Sequence, residues 1–130
     1  MNELAFHRRH RLLTPRDFKR VMDAPSMRAS QGGFVLLASE NGLDTARIGF
    51  VLPKRRISHA VARNRVKRIM RESFRRQQPI LAGLDIVVMA RDGLAALDNA
   101  AMRAAIDRQF QYLATRRQPR PDTAQRDETR

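Results

Sequence analysis

Cysteine is absent from the 130 residues, which excludes disulfides, thiolate zinc sites and a cysteine nucleophile. No apolar run reaches the roughly 18 residues a membrane-spanning helix needs. Met1-Asn2-Glu3-Leu4 lacks the charged-then-apolar pattern of a secretory signal. A cytoplasmic protein without membrane association is the expectation. Acid is scarce as well: 13 Asp and Glu stand against 26 Lys and Arg, for a formal net charge of +13. Self-repulsion at that charge opposes compactness, so the excess points to a polyanionic partner, nucleic acid first and an anionic membrane second. The residue groupings of a protein ribonuclease are also missing, since no metal-binding His and carboxylate cluster, Ser/His/Asp set or paired histidines stand out. His7 and His10 sit in Phe6-His7-Arg8-Arg9-His10-Arg11, where neighbouring cations disfavour a metal ion, and His59, in another basic context, reads as incidental.

A chain this short forms one domain with one modest core. Thr14-Pro15-Arg16-Asp17 reads as a helix entry, with Thr14 as cap, Pro15 at the first helical position and Asp17 at the positive end of the dipole. The helix runs from about Pro15 to Asp23, with Phe18, Val21 and Met22 on one face and Ala24-Pro25 ending it. Phe34 to Ala38 and Ile48 to Leu52 read as two strands joined by a hairpin at Glu40-Asn41-Gly42-Leu43-Asp44. A basic segment follows, terminated at Pro79 and Gly83, and then Leu84 to Ala90, rich enough in β-branched residues to lie inside a sheet. Ala95 to Leu113 reads as a final helix. Residues 1–115 are the expected domain, and 116–130 a disordered tail too polar to offset the entropy of ordering.

The basic segment is Ala60 to Arg76, where Glu72 is the single acid. On a helix at about 100° per residue, Ala62, Val66, Ile69, Met70, Ser73 and Phe74 fall on one arc. Arg63, Asn64, Lys67, Arg68, Arg71 and Arg75 fall on the neighbouring one. A solvated helix face normally mixes signs, because like charges four residues apart destabilise it by about a few tenths of a kcal/mol per pair. Arg63-Lys67-Arg71-Arg75 is instead an unbroken like-charge row. Arginine dominates it, and its planar fork can grip two phosphate oxygens or stack on a base. Asn64, unfavourable in mid-helix, offers a donor and an acceptor suited to a ribose hydroxyl or a base edge.

Lys54-Arg55-Arg56 followed by Ala60-Val61-Ala62-Arg63-Asn64-Arg65-Val66-Lys67-Arg68 resembles the signature of the bacterial ribonuclease P protein subunit. The likeness extends to Arg11-Leu12 through Phe18, to Arg47-Ile48-Gly49-Phe50, and to Asp85-Ile86-Val87-Val88 with Ala90-Arg91. It spans about Leu4 to Leu113 in family order, departing at Arg55, where the family more often has lysine. The resemblance implies a single α/β domain of the α+β sandwich type, ordered helix, strands, helix, strand, helix. Its βαβ crossover around the Arg-Asn-Arg helix is left-handed in the family, against the usual rule.

The resemblance implies the function too. The family's catalytic component is an RNA that, with magnesium, removes the 5′ leader of precursor transfer RNA, and the protein assists. No catalytic residue or metal ligand is expected in the protein, magnesium being held mainly by the RNA. Lys54, Arg55, Arg56, Arg63, Asn64, Arg65, Lys67, Arg68 and Arg71 are expected to dock the catalytic RNA. Phe18, Met22, Val35 and Leu37 are expected to line a cleft for the single-stranded leader, although helical spacing alone makes Phe18 and Met22 core residues. The expected partners are the catalytic RNA and precursor transfer RNA, with no obligate protein partner. A ribosomal or chaperone-like RNA-binding protein would share the charge, and a helix-turn-helix DNA binder is weakened by strands flanking the basic helix.

Overall fold

The computed structural model describes residues 10–11 and 14–116. The proposed tail beyond residue 116 and the histidine at position 7 lie outside the described residues. In chain order the elements are α1 (Pro15–Asp23), β1 (Met27–Gln31), β2 (Phe34–Glu40), β3 (Arg47–Val51), α2 (Ala60–Arg76), α3 (Gln78–Leu81), β4 (Leu84–Ala90), a 3-10 turn (Leu94–Ala96) and α4 (Asn99–Arg116). The four strands form one sheet in the order β1-β2-β4-β3, with β3 and β4 parallel and the other pairs antiparallel.

Strand β4 is central and buried on both faces, so its side chains divide by parity. Leu84, Ile86, Val88 and Ala90 join Phe34, Leu36 and Ala38 in the main core, which α2 and α4 close with Val66, Ile69, Met70, Phe74, Met102, Ile106, Phe110 and Leu113. Phe74 and Phe110 meet edge to face at 6.1 Å, the arrangement aromatic quadrupoles favour. On the opposite face Val87 packs with Val35, Leu37 and Val21 of α1 in a smaller cluster that Phe18, Val51 and Met89 border. The sheet thus lies between α1 on one side and α2 with α4 on the other.

Several boundaries differ from the sequence reading. The hairpin expected between Phe34–Ala38 and Ile48–Leu52 does not form, because β4 pairs with both strands and separates them. The turn at Asn41 is real: its side-chain oxygen accepts from Leu43 N at 2.7 Å and its amide donates to Thr45 O at 3.0 Å. It carries the chain past the place β4 takes. The hairpin sits earlier, between β2 and the unforeseen β1, across Gly32-Gly33, where Gly33 has φ +102°. Pro79 does not simply stop α2 but opens the four-residue α3, since the first turn of a helix needs no proline N–H. The last helix begins at Asn99 rather than Ala95. Asp98 accepts from Ala101 N at 2.8 Å and caps it, after the 3-10 turn and an extended Leu97. Arg116, placed in the tail from sequence, is the last helical residue.

Candidate nucleic-acid interface

Helix α2 spans Ala60–Arg76 and buries Val66, Ile69, Met70, Ser73 and Phe74, so its apolar arc is the one the periodicity predicts. The cationic arc is not uniform. At one end Arg63 turns back to its own entry loop, its Nη1 donating to Ile57 O at 2.8 Å and Ser58 O at 3.2 Å. At the other end Arg75 grips Glu72 through Nη2 at 2.5 Å and Nε at 3.1 Å. That hydrogen bond holds the Glu72 carboxyl below its ordinary value against the opposing effect of burial, and the charges of Arg75, Arg76 and Arg103 add to the lowering.

Relief at both ends concentrates the outward charge at the middle of α2. Asn64, Lys67 and Arg68 make no side-chain hydrogen bond or ion pair among the described residues. With Arg71, Glu72 and Arg75 they line a shallow trough of about 370 Å³ along the helix. Arg71 lies with its guanidinium 5.5 Å from the centre of the Phe50 ring, a cation–π contact that ties α2 to β3. Burial first, then the charge of Arg11, push the Arg71 guanidinium below its usual value, though an arginine stays charged at neutral pH.

Arg65 points elsewhere. Its Nη1 donates to Asn99 Oδ1 at 2.6 Å, and its Nη2 to Ala95 O at 3.0 Å and Leu97 O at 2.9 Å. The middle arginine of the motif therefore binds α2 to the entry of α4. Lys54 and Arg55 are exposed on the loop before α2, while Arg56 pairs with Asp92 at 2.7 Å.

A second surface flanks the first. Thr14, Pro15, Phe18, Lys19, Met22 and Asp23 of α1 and its cap face Phe50 and Val51 of β3 across an open, mainly apolar groove of about 690 Å³. That is within the roughly 300–1,000 Å³ typical of small-ligand sites. Of the four residues expected in the leader cleft, Phe18 and Met22 line this groove. Val35 and Leu37 are only 3% and 7% exposed, because Val21 covers them, and they form its foundation rather than its wall. Phe50 and Val51 were not foreseen as lining residues. Their sequence signal was limited to position on a strand, and only the placement of β3 at the sheet edge opens them to α1.

A smaller pocket of about 190 Å³ joins the two surfaces, lined by Arg11, Phe18, Ile48, Gly49, Phe50, Lys67 and Arg71. It shares Phe18 and Phe50 with the apolar groove and Lys67 and Arg71 with the trough on α2. Arg11, from ahead of α1, thus joins Lys67 and Arg71, one turn apart on α2, beside two aromatic rings. Cationic tracking of a backbone beside stacking rings is the physical recipe for holding a single strand of nucleic acid. No three His, Asp or Glu side chains cluster as a metal site among the described residues, and none of the described helices is long and apolar enough to cross a membrane.

Known proteins with matching sequence and structure share this architecture. The family model described as Ribonuclease P matches residues 6–114. The chain is 47% identical over 116 residues to the ribonuclease P protein component of Pseudomonas putida strain KT2440, covering 89% of this chain and 86% of that one. It is 44% identical over 119 residues to the protein of the same name from Azotobacter vinelandii strain DJ, covering 92% and 89%. The solved structure of the RNase P protein from Thermotoga maritima superposes with a TM-score of 0.67 at 30% identity, over 84% of this chain and 98% of that one. The Staphylococcus aureus protein superposes at 0.72 with 24% identity, over 79% and 94%, a likeness of fold.

Proposed function

The chain belongs to the ribonuclease P protein family, and from that premise we propose that it binds the catalytic RNA through α2 and the 5′ leader of precursor transfer RNA through the α1–β3 groove. It is the RNA-binding protein component of an endoribonuclease that matures the 5′ end of transfer RNA, and its partner is the ribonuclease P RNA. The general RNA chaperone or ribosomal reading is not favoured.

Asn64, Lys67, Arg68 and Arg71 make the central contacts to the catalytic RNA, with Lys54, Arg55 and Arg56 beside them. Arg63 and Arg65 serve the docking surface by holding α2 in place, their guanidinium groups bound back to the loop before α2 and to the approach to α4. Phe18, Met22, Phe50 and Val51 receive leader bases over the foundation of Val35 and Leu37. Stacking of one base on Phe18 contributes roughly 1–3 kcal/mol. The observation that carries this reading is the shared pocket: Phe18 and Phe50 on one side and Lys67 and Arg71 on the other give leader and catalytic RNA adjoining seats.

The chemistry belongs to the RNA and its magnesium, which the RNA holds. Asp85, the one fully buried carboxylate among the described residues, is already occupied by Arg47, Arg20 and Asn41. The protein's contribution is electrostatic, because two polyanions approach each other more easily with cations between them, so less magnesium is needed. Precursor transfer RNA cleavage by a bacterial ribonuclease P RNA, with and without the protein, tests this at low magnesium across a salt series. Stimulation that fades as salt rises is the expected outcome. Tight RNA binding without stimulation would refute it and restore the chaperone alternative.

A further inference from the structure

The groove wall formed by α1 is a nine-residue helix with one fully buried side chain, Val21. Isolated helices shorter than about 12 residues are marginal in water, so packing must hold α1 in place. Apolar contact through Val21 and Phe18 permits the helix to roll about its axis, whereas directed polar contacts do not.

At its C-cap the helix is held by Ser39, whose hydroxyl donates to Ala24 O at 3.4 Å, and along its length the polar contacts centre on Asp85. Asp85 lies at the start of β4, on the α1 face of the sheet, in register with Arg47 of β3. Its carboxylate accepts from Arg47 Nε at 2.8 Å and Nη2 at 2.7 Å and from Asn41 Nδ2 at 2.9 Å, and Arg20 of α1 donates to the same group. Arg47 also reaches Asp17, one turn before Arg20 on α1, at 3.7 Å. Asp17 and Arg20 alternate in sign with Arg47 and Asp85, so in a chain of net charge +13 this quartet cancels internally.

We propose that Asp85 and Arg20 are positioning residues for leader recognition. Asp85, fixed by Arg47, is a post that Arg20 grips, and the grip sets the roll of α1 and so the placement of Phe18 and Met22 against Phe50 and Val51. Asp85 is fully buried while Arg20 is 44% exposed, and an ion pair that takes a charge out of water is weak evidence for stability, its best-attested use being to specify one arrangement among several. The quartet connects both groove walls, Asp17 and Arg20 lying on α1 and Arg47 on β3. This inference rests on the groove being the leader site.

The test uses the holoenzyme assembled with a bacterial ribonuclease P RNA. Affinity is measured for precursor transfer RNA and for mature transfer RNA, together with the melting temperature of each protein variant. Arg20→Ala cuts the α1 grip and leaves the Arg47–Asp85 pair intact, so it avoids the misfolding risk of Asp85→Asn. The expected result is a loss of preference for precursor over mature RNA of about fivefold, the lower end of ordinary site coupling. Binding of mature RNA is unchanged, and Arg20→Lys restores most of the preference. Equal weakening of both RNAs, in step with a lower melting temperature, would overturn the proposal in favour of a merely structural role. Phe18→Ala separates the layers: if it abolishes the preference and Arg20→Ala does not, positioning fails and the groove stands. If neither alters the preference, both fall.

Discussion

Arg65→Ala and Arg68→Ala remove the same side chain from two positions of one helical motif, yet they should fail in different ways. Arg65 makes three hydrogen bonds, two to backbone carbonyls, those of Ala95 in the 3-10 turn and Leu97 just after it, and one to Asn99. At about 0.5–1.5 kcal/mol net for each such bond, with water competing at this partly exposed site, their loss costs about 2 kcal/mol. At this chain length, between the small and the larger domains, about 1 kcal/mol moves the melting temperature by roughly 3–5 °C, so Arg65→Ala should melt about 8 °C lower. Arg68 is exposed and has no side-chain partner among the described residues, so its removal should leave the melting temperature alone. Its signature lies in binding: the slope of log affinity against log salt should shrink by about 0.7–0.9, the contribution of one phosphate contact. Thermal melts and RNA titrations from low to high salt read both quantities. An Arg65→Ala protein with unchanged melting and a slope reduced by a full contact would refute the assignment, because the guanidinium would then leave Ala95, Leu97 and Asn99 to reach phosphate.

Asp85 gives a pH prediction. Burial pushes its carboxyl up, but the hydrogen bonds from Arg47 and Asn41 and the charges of Arg47 and Arg20 outweigh burial and hold it below the ordinary value. Its stabilisation is therefore complete above about pH 4, near the unfolded carboxylate value, and is lost as pH falls through the lower folded one. Urea unfolding from pH 7 to pH 2 should show this acid limb flattened in Asp85→Asn, along with a loss of about 3–5 kcal/mol at neutral pH. Gly33→Ala should cost more than Gly42→Ala in the same assay. Both have positive φ, but a Cβ at Gly33 would lie 3.2 Å from the Leu94 Cα, whereas Gly42 opens to empty space. The expected costs are about 3 kcal/mol and about 1 kcal/mol. Phe74→Ala, at a fully buried ring between Phe110 and His10, should lose about 3–5 kcal/mol, and unchanged stability would contradict the core described above.

Local signals carried the helices well. Thr14, Pro15 and Asp17 mark the start of α1, and in the structure the Thr14 hydroxyl accepts from Asp17 N at 3.1 Å. The apolar arc of α2 and the β-branched run of β4 were equally legible, since each reflects burial by a period its own residues reveal. Strand pairing was not, because the claim of β4 on β2 and β3 is a contest between segments distant in sequence. The Gly32-Gly33 hairpin had a readable signal in its two-residue glycine turn. However, β1 brings Met27 and Ala29 to the interior and shows no apolar run. At the interface, charge alone could not tell arginines that face solvent from Arg65, which faces the α4 entry. Val35 and Leu37 were placed on the correct face of the sheet and one layer too shallow.

The central position of β4 bears on how the molecule comes into being. A chain delivered as far as Gly83 has three of its four strands but can pair only β1 with β2, because β3 has no neighbour until β4 arrives. Closure then joins segments dozens of residues apart, a slow, non-local step. The seat of α1 waits for the same event, since Val87, Met89 and Asp85 all lie on β4. The basic residues of α2, by contrast, are already synthesised. The nascent protein therefore holds its attraction for polyanions before it holds the groove, and discriminating among RNAs is the last ability it acquires.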